Sequence, residues 1–337
     1  MKAGAKKTIT LIICAYNEED VIDIFYERLT KVINSLPFNF VILFVNDGST
    51  DCTAERLSYL RDQDERVALL DLSRNFGKEI ALTAGIDYAL GDAVIILDAD
   101  LQDPPELISD MIAEWQRGFD VVYARRQSRA GETWLKKFSA FLFYRMMKRL
   151  TGRIAIPTDT GDFRLMSRRS LDAVKQIRER HRLMRGLFTW IGFKQTEVPF
   201  DRAPRAAGET KYDYWTIARL SLDGITSFSF VPLRLATYLG LAVALMAFVY
   251  ALIVVFKTIA YGTPVAGYPS LMVVILFLGG VQLLSLGIIG EYLGRIFDET
   301  KRRPLYFVES FNPARSRAAA WQSEMAPEIA SASQRVN

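Results

Sequence analysis

Histidine is all but missing from this chain: among 337 residues there is one, His181, and there are only two cysteines, Cys14 and Cys52. That excludes a His-rich metal site and disfavours a His-dependent catalytic triad. In its setting, Arg180-His-Arg182, the histidine is expected to be a solvated surface residue. The cysteines share no ligand spacing and are expected to be free thiols. Net charge is also scarce, at +4, which is too little to imply nucleic acid as a partner. The opening Met1-Lys-Ala-Gly-Ala-Lys-Lys7 leads straight into an apolar strand, so no signal peptide is expected.

Charge vanishes altogether from two stretches, Tyr238 to Phe256 and Ser270 to Gly290. Each is about long enough to cross a hydrocarbon core of roughly 30 Å as helix. The short loop Gly262-Thr-Pro-Val-Ala-Gly-Tyr-Pro269 separates them, so the pair reads as a transmembrane hairpin with spans at 231–257 and 269–297. Arg202, Arg205, Lys211, Arg219 and Arg234 precede the first span, and Arg295, Lys301, Arg302 and Arg303 follow the second. Excess Lys and Arg mark the cytoplasmic side, so both termini are expected there; Lys257 can snorkel to the far interface. Nine Lys and Arg residues against the single acid Glu132 fill Arg125 to Arg153, interleaved with Trp134, Phe138 and Phe141. Beside a membrane hairpin, that stretch suits anionic headgroups and a phosphorylated lipid. Residues 212–230, aromatic and apolar yet broken by Arg219 and Asp223, read as interfacial helix. The tail, 298–337, is expected to be cytoplasmic, and its Ala/Ser-rich part beyond about Asn312 to be disordered.

Residues 1–211 read differently. Apolar strands at Thr8–Cys14, Phe40–Val45, Val67–Leu72 and Ala93–Leu97 alternate with helices ending near Leu36, Arg61 and Leu90. Asp120–Ala124, Phe163–Met166 and Gln195–Phe200 add further strands, and a helical pattern runs from about Thr133 to Leu150. Such alternation predicts an α/β fold, a mostly parallel Rossmann-like sheet with helices on both faces. Ligands gather beyond the carboxyl ends of such strands. Four polar turns fall there: Ala15-Tyr-Asn-Glu18, Asn46-Asp-Gly48, Ser73-Arg-Asn75 and Asp98-Ala-Asp100.

The last turn is the most informative. Alternate strand residues share a face, so Asp98 and Asp100 can reach one ion if the extended geometry persists to Asp100, with Gln102 adding a neutral oxygen. Oxygen-only donors suit Mg²⁺ or Mn²⁺, which is usually held by one or two carboxylates together with substrate phosphates. A solvated acidic turn is the plainer alternative. Asp47 and Glu18 suit hydrogen bonds from a base or ribose, with helix capping as the alternative for each. Arg74 and Lys78 suit a diphosphate, and Gly77 permits close backbone approach. Thr50 or Asp51 is expected to cap one helix and Asp103 another.

These residues carry a resemblance. Ala15-Tyr-Asn-Glu18, Asn46-Asp-Gly-Ser49, Arg74-Asn-Phe-Gly77 and Asp98-Ala-Asp-Leu-Gln-Asp-Pro104 resemble the family-2 glycosyltransferases of GT-A fold. With the paired C-terminal spans, the chain looks most like the polyprenyl-phosphate glycosyltransferases, the bactoprenol glucosyltransferase branch in particular. The resemblance implies inverting transfer from a nucleotide sugar, UDP-glucose as first guess, to the phosphate of a membrane polyprenol. It implies a multi-pass protein of the bacterial inner membrane and a homo-oligomer, a tetramer in relatives. It also implies roles: Asp100, Gln102 and Asp98 at the metal; Tyr16, Glu18, Asp47, Arg74, Lys78 and Asp98 at the nucleotide sugar; Arg125, Arg129, Arg164 and Lys211 at the acceptor phosphate. Asp162 suits an electrostatic partner at the anomeric centre, with ion pairing to Arg164 as the plainer role.

A phosphate acceptor explains why no general base stands out. Its second pKa is near 6, so it is largely ionised at pH 7, and cations to hold it matter more than a proton acceptor. Two alternatives remain at the level of sequence. A processive polysaccharide synthase resembles this chain in fold, but its Q-x-x-R-W motif is absent here. A non-catalytic scaffold for lipid-linked sugars would have no need of Asp47, Asp98, Asp100 and Gln102.

Overall fold

The computed structural model describes residues 6–126, 160–200, 231–261 and 267–323. The helix expected near Thr133 to Leu150, the interfacial stretch 212–230, Arg129 and Lys211 lie outside these residues. The chain divides into two compact units, one holding the N-terminal segments and the residues from Pro304 onward, the other built on the two long C-terminal helices.

In the first unit, β1 (Thr8–Ala15), β2 (Asn39–Asn46), β3 (Val67–Leu72) and β4 (Ala93–Asp98) are almost wholly buried apolar runs, as strands covered on both faces must be. The covering helices are α1 (Ile22–Ile33), α2 (Thr53–Gln63), α3 (Lys78–Tyr88) and α4 (Ile108–Gln116). In α1 the buried side chains are Ile22, Phe25, Leu29 and Ile33, one stripe at helical spacing. The chain continues through β5 (Val121–Arg126), β6 (Thr160–Ser167), α5 (Arg168–Lys175), α6 (Met184–Trp190) and β7 (Gln195–Phe200). After α7 (Val231–Tyr261) and α8 (Tyr268–Thr300), β8 (Val308–Asn312) joins the same sheet, whose order is β7-β5-β6-β4-β1-β2-β3-β8.

Register places the site. Ala15 lies opposite Asn46, Cys14 opposite Asp98 and Asn46 opposite Asp71, so the carboxyl ends of four parallel strands are level. β6 runs antiparallel to β4 with Ile96 opposite Arg164, which carries its first residues, Gly161 and Asp162, to the same rim. The mostly parallel α/β sheet expected from sequence is therefore present, with antiparallel pairings at β4–β6, β5–β6 and β3–β8.

The tail departs from expectation. Residues 313–323 were expected to be disordered, yet they pack on the sheet. Trp321 is 2% exposed and its indole N–H donates to the Tyr88 carbonyl at 2.8 Å. Phe311 sits between Tyr88 and Trp321 at centroid distances of 4.7 and 5.8 Å, and Ser310 donates to Asp71 at 2.8 Å. The Ala/Ser-rich composition diluted one aromatic anchor, which alone buries a large area. β8 also covers the β3 edge, which would otherwise present unpaired backbone groups. Trp321→Ala is expected to destabilise the first unit by about 3 to 5 kcal/mol, as buried Trp truncations do. Urea unfolding followed by far-ultraviolet dichroism checks this, and an unchanged midpoint would contradict the packed tail.

Two smaller expectations are corrected. Cys52, not Thr50 or Asp51, is the N-cap residue of α2, and the Asp51 carboxylate reaches the helix from outside by accepting from the Thr53 N–H at 3.0 Å. His181 is half-buried, with Nε2 shielded from solvent, while its neighbour Arg182 is buried and donates to the Ile177 carbonyl at 2.8 Å. Both cysteines are free thiols, as expected.

The second unit consists of α7, 31 residues, packed along α8, 33 residues. At about 1.5 Å per residue, each is longer than a hydrocarbon core of roughly 30 Å. Their large apolar side chains face outward, among them Leu241, Phe248, Phe256 and Leu283. Within α8 the stretch Phe277–Thr300 is long and apolar enough to cross a membrane; in α7, Ala236–Tyr250 is a shorter apolar stretch.

Candidate active site at the carboxyl rim of the sheet

The rim is built by loops that clasp one another. Asn17 adopts φ 53, and its Oδ1 accepts from the Thr50 N–H at 2.9 Å while its own N–H donates to Ser49. The Glu18 N–H donates to Thr53 Oγ1 at 2.9 Å, fixing the loop after β1 on the start of α2. Tyr16 and Glu18 are both half-buried in that loop.

Gly48 holds the second turn against the third. Its φ is +64°, and a Cβ there would lie 2.6 Å from the Asn75 nitrogen and 2.7 Å from Arg74 Cα. Only glycine permits both the conformation and the approach. Asp47, 3% exposed, completes the junction: its two oxygens accept from the Phe76 and Gly77 N–H groups at 2.8 and 2.9 Å. Burial pushes the Asp47 carboxyl up, and those two N–H groups draw it part of the way back. The carboxylate thus holds the turn before α3, and Arg74, on that turn, is exposed with its guanidinium 4.5 Å from the Phe76 ring.

Lys78, the first residue of α3, reaches from this turn across the sheet. Its ammonium lies 2.7 Å from Asp98 Oδ2 and 2.9 Å from Asp162 Oδ2. Arg185, from α6, donates to the other Asp162 oxygen at 3.1 Å. Burial works to raise the Asp162 carboxyl, but Lys78, Arg185 and Arg164 outweigh it and hold it well below the usual carboxylate range. Burial likewise opposes the charge on Lys78, and Asp98 and Asp162 more than restore it.

After Asp98 the chain turns sharply. Leu101 has φ 59, an uncommon conformation for a bulky residue, and its side chain is buried. The turn lets Asp100 Oδ1 accept from the Gln102 N–H at 3.1 Å. Gln102 is 7% exposed and its Oε1 has no hydrogen-bond partner. Asp103 is not the helix cap expected of it, since Pro104 occupies the cap position with no side-chain cap bond. Asp103 is buried instead, and burial together with the negative charges of Asp98 and Asp100 pushes it up to about 7.

Among the described residues, no group of three or more His, Cys, Asp and Glu side chains is arranged to hold a metal ion. Two carboxylates and an amide oxygen nevertheless fit a divalent cation of the Mg²⁺ type, which takes its remaining ligands from water and substrate phosphates. The buried Gln102 Oε1, which has no hydrogen-bond partner, is that amide oxygen.

Two expected residues are placed differently. Arg125 is exposed and pairs with Glu197 of β7 at 2.7 Å, so it faces the sheet edge; Arg126, one residue on, turns inward. Arg126 Nη2 lies 3.6 Å from where a Gly161 Cβ would stand, and its charge draws Asp103 down. Strand alternation carried no signal, since Arg126 shares a face with the buried Val122 and Ala124 and Arg125 shares one with the buried Val121. Arg164 is 4% exposed and donates to the carbonyls of Gly161 at 2.8 Å and Asp162 at 3.2 Å, beneath the Phe188 ring at 4.1 Å. It supports the start of β6 from within, and it is not the ion partner of the Asp162 carboxylate. Arg185 and Glu79 were missed altogether. Glu79 accepts from the Met184 N–H at 2.8 Å, and burial, with Asp162 nearby, pushes it up to about 7.

Comparison with known proteins agrees with this layout. The family model for glycosyl transferase family 2 matches residues 10–175, and the model for the GtrB C-terminal hairpin matches residues 231–296. An uncharacterized glycosyltransferase of Synechocystis sp. is 53% identical over 89% of this chain and 94% of its own length. Another from Bacillus subtilis is 49% identical, over 89% of this chain and 93% of its own length. The bactoprenol glucosyl transferase of Shigella phage SfV is 44% identical over 90% of this chain and 98% of its own length.

Proposed function

This chain belongs to glycosyl transferase family 2 and is a glycosyltransferase, and from that premise we propose that it moves a sugar, glucose first, from a UDP-sugar to the phosphate of a membrane polyprenol such as undecaprenyl phosphate, with inversion. The observation that carries the reading is Asp162, clamped between Lys78 and Arg185 beside Asp98. A carboxylate held that low by two cations is a poor proton acceptor. The two carboxyls pushed up to about 7 are not offered to an acceptor either: Glu79 is tied to the Met184 N–H and Asp103 is 3% exposed. With none of these three carboxyls available as a base, the described residues suit a nucleophile that is already ionised, and a phosphate monoester is one.

Asp98, Asp100 and Gln102 would hold Mg²⁺ or Mn²⁺, which supplies charge stabilisation for the diphosphate as it leaves. Lys78 and Arg74 stand on the turn positioned by Asp47 and Gly48, where they face the same diphosphate. Tyr16, Glu18 and Asp47 border the nucleoside. Asp162, ionised on the opposite side, stabilises positive charge developing at the anomeric carbon. Arg129 and Lys211 are the cations assigned to the acceptor phosphate. From the length of α7 and α8 and their charge-free stretches we read them as two spans of the bacterial inner membrane, with the catalytic unit and both termini cytoplasmic. The domains follow as a catalytic unit that joins the residues up to 211 with those from Pro304 onward, an interfacial helix over 212–230 and the hairpin, and the assembly is read as a homo-oligomer.

Purified protein with undecaprenyl phosphate, UDP-glucose and Mn²⁺ is expected to form a lipid-phosphate glucose, and EDTA is expected to stop it. Mass spectrometry of the lipid extract is the check. Full turnover in EDTA would sink the metal assignment, and turnover only with other nucleotide sugars would sink the choice of donor.

A further inference from the structure

The Lys78 ammonium stands where a cation bound to Asp98 would have to compete with it. It lies 2.7 Å from Asp98 Oδ2 while also touching Asp162 at 2.9 Å. Its root is fixed, because Asp47 pins the preceding Phe76 and Gly77 N–H groups, and Gly48 packs against the Arg74–Asn75 backbone. Its side chain is 38% exposed, so a ligand arriving over the rim can reach it, whereas Asp162 at 5% is enclosed. A short, strongly charged bridge of this kind satisfies Asp98 when no donor is present. The Gln102 Oε1, on the turn after Asp98, is buried with no hydrogen-bond partner.

We propose that Lys78 is an internal counter-ion that occupies Asp98 in the donor-free enzyme and exchanges that carboxylate for the donor's diphosphate when the nucleotide sugar and the divalent cation enter together. Lys78 is therefore a positioning residue that couples the two ligands. In the donor-free state the ammonium weakens cation binding at Asp98, as one positive charge beside a carboxylate weakens the hold on a second. With donor present, the ammonium turns to the diphosphate and keeps Asp162, and the Asp98 oxygen is released to the metal. By linkage, whatever the donor does to the affinity for the cation, the cation does equally to the affinity for the donor. Divalent cation alone thus binds weakly, and the site fills cooperatively.

This inference rests on Asp98, Asp100 and Gln102 being the cation donors, and its test separates the two. Free Mn²⁺ is measured by electron paramagnetic resonance during titration of the full-length protein, without donor and with UDP-glucose, for wild type, Lys78→Met, Lys78→Arg and Asp100→Asn. Lys78→Met is expected to bind Mn²⁺ about tenfold more tightly than wild type without donor, the lower end of the effect a neighbouring unit charge has on a carboxylate. It is also expected to lose most of the tightening that UDP-glucose confers on wild type. Lys78→Arg is expected to stay near wild type, which separates charge from packing. Donor-free affinity that is unchanged or weaker in Lys78→Met, with Asp100→Asn still releasing the ion, overturns the counter-ion role and leaves the metal site standing. If Asp100→Asn binds Mn²⁺ as wild type does, the donor assignment fails and the counter-ion role with it.

Discussion

Asp100→Asn is expected to lower glycosyl transfer by at least about 100-fold while leaving the fold in place, a loss in the range seen when a positioned charge-stabilising group is removed. The separation of the two effects follows from what the side chain does. Its Oδ1 accepts from the Gln102 N–H at 3.1 Å within the turn that Leu101 makes possible. An asparagine oxygen accepts the same bond, so the turn keeps its shape and only the negative charge goes. That charge is not the one engaged by Lys78, which bridges Asp98 and Asp162. A midpoint of thermal unfolding close to wild type together with transfer near wild type would contradict the role given to Asp100. A collapse in both would indicate that the carboxylate is structural.

Gly48→Ala is expected to cost about 3 kcal/mol or more and to abolish transfer with it. The added methyl would meet backbone atoms of Arg74 and Asn75, which cannot swing aside as the tip of a flexible side chain can. Overpacking of that kind costs about 1 to 3 kcal/mol, and forcing alanine to a positive φ adds about 1 kcal/mol or more. The displaced strip carries Arg74 and the two N–H groups that Asp47 holds, and through them Lys78. Gly77 is the internal comparison. Its φ is +92° but its Cβ would meet nothing within 4 Å, so Gly77→Ala is expected to cost only the strain, about 1 to 2 kcal/mol. Equal losses in the two variants would show that the close approach at Gly48 does not matter.

The sheet and its rim were legible because parallel strands buried on both faces leave continuous apolar runs, and each run ends where polarity returns. Asp98, Asp100 and Asp47 stand at or just past such ends, and Lys78 opens the helix after one. What the pattern could not supply was partners. Lys78 and Arg185 converge on Asp162 from residues 84 and 23 positions away in sequence, a meeting decided by the antiparallel placement of β6. Arg125 and Arg126 could not be told apart by phase, because Val121 is buried on one face of the strand as Val122 and Ala124 are on the other. Asp103 looked like a cap because it precedes proline, and the buried turn at Leu101 carries it inward. Trp321 was hidden by the small polar residues around it, and one buried indole was enough to order the strand and turn that precede it.

The most direct test of the central claim is a choice of acceptor. The purified protein is given labelled UDP-glucose and Mn²⁺ with either undecaprenyl phosphate or undecaprenol of the same length, across pH 6 to 8. A site that takes an acceptor already ionised predicts glucose on the phosphate and none on the alcohol, with product released as the free sugar by mild acid. Transfer to the alcohol at a comparable rate would show that the site does remove a proton, and would contradict the account.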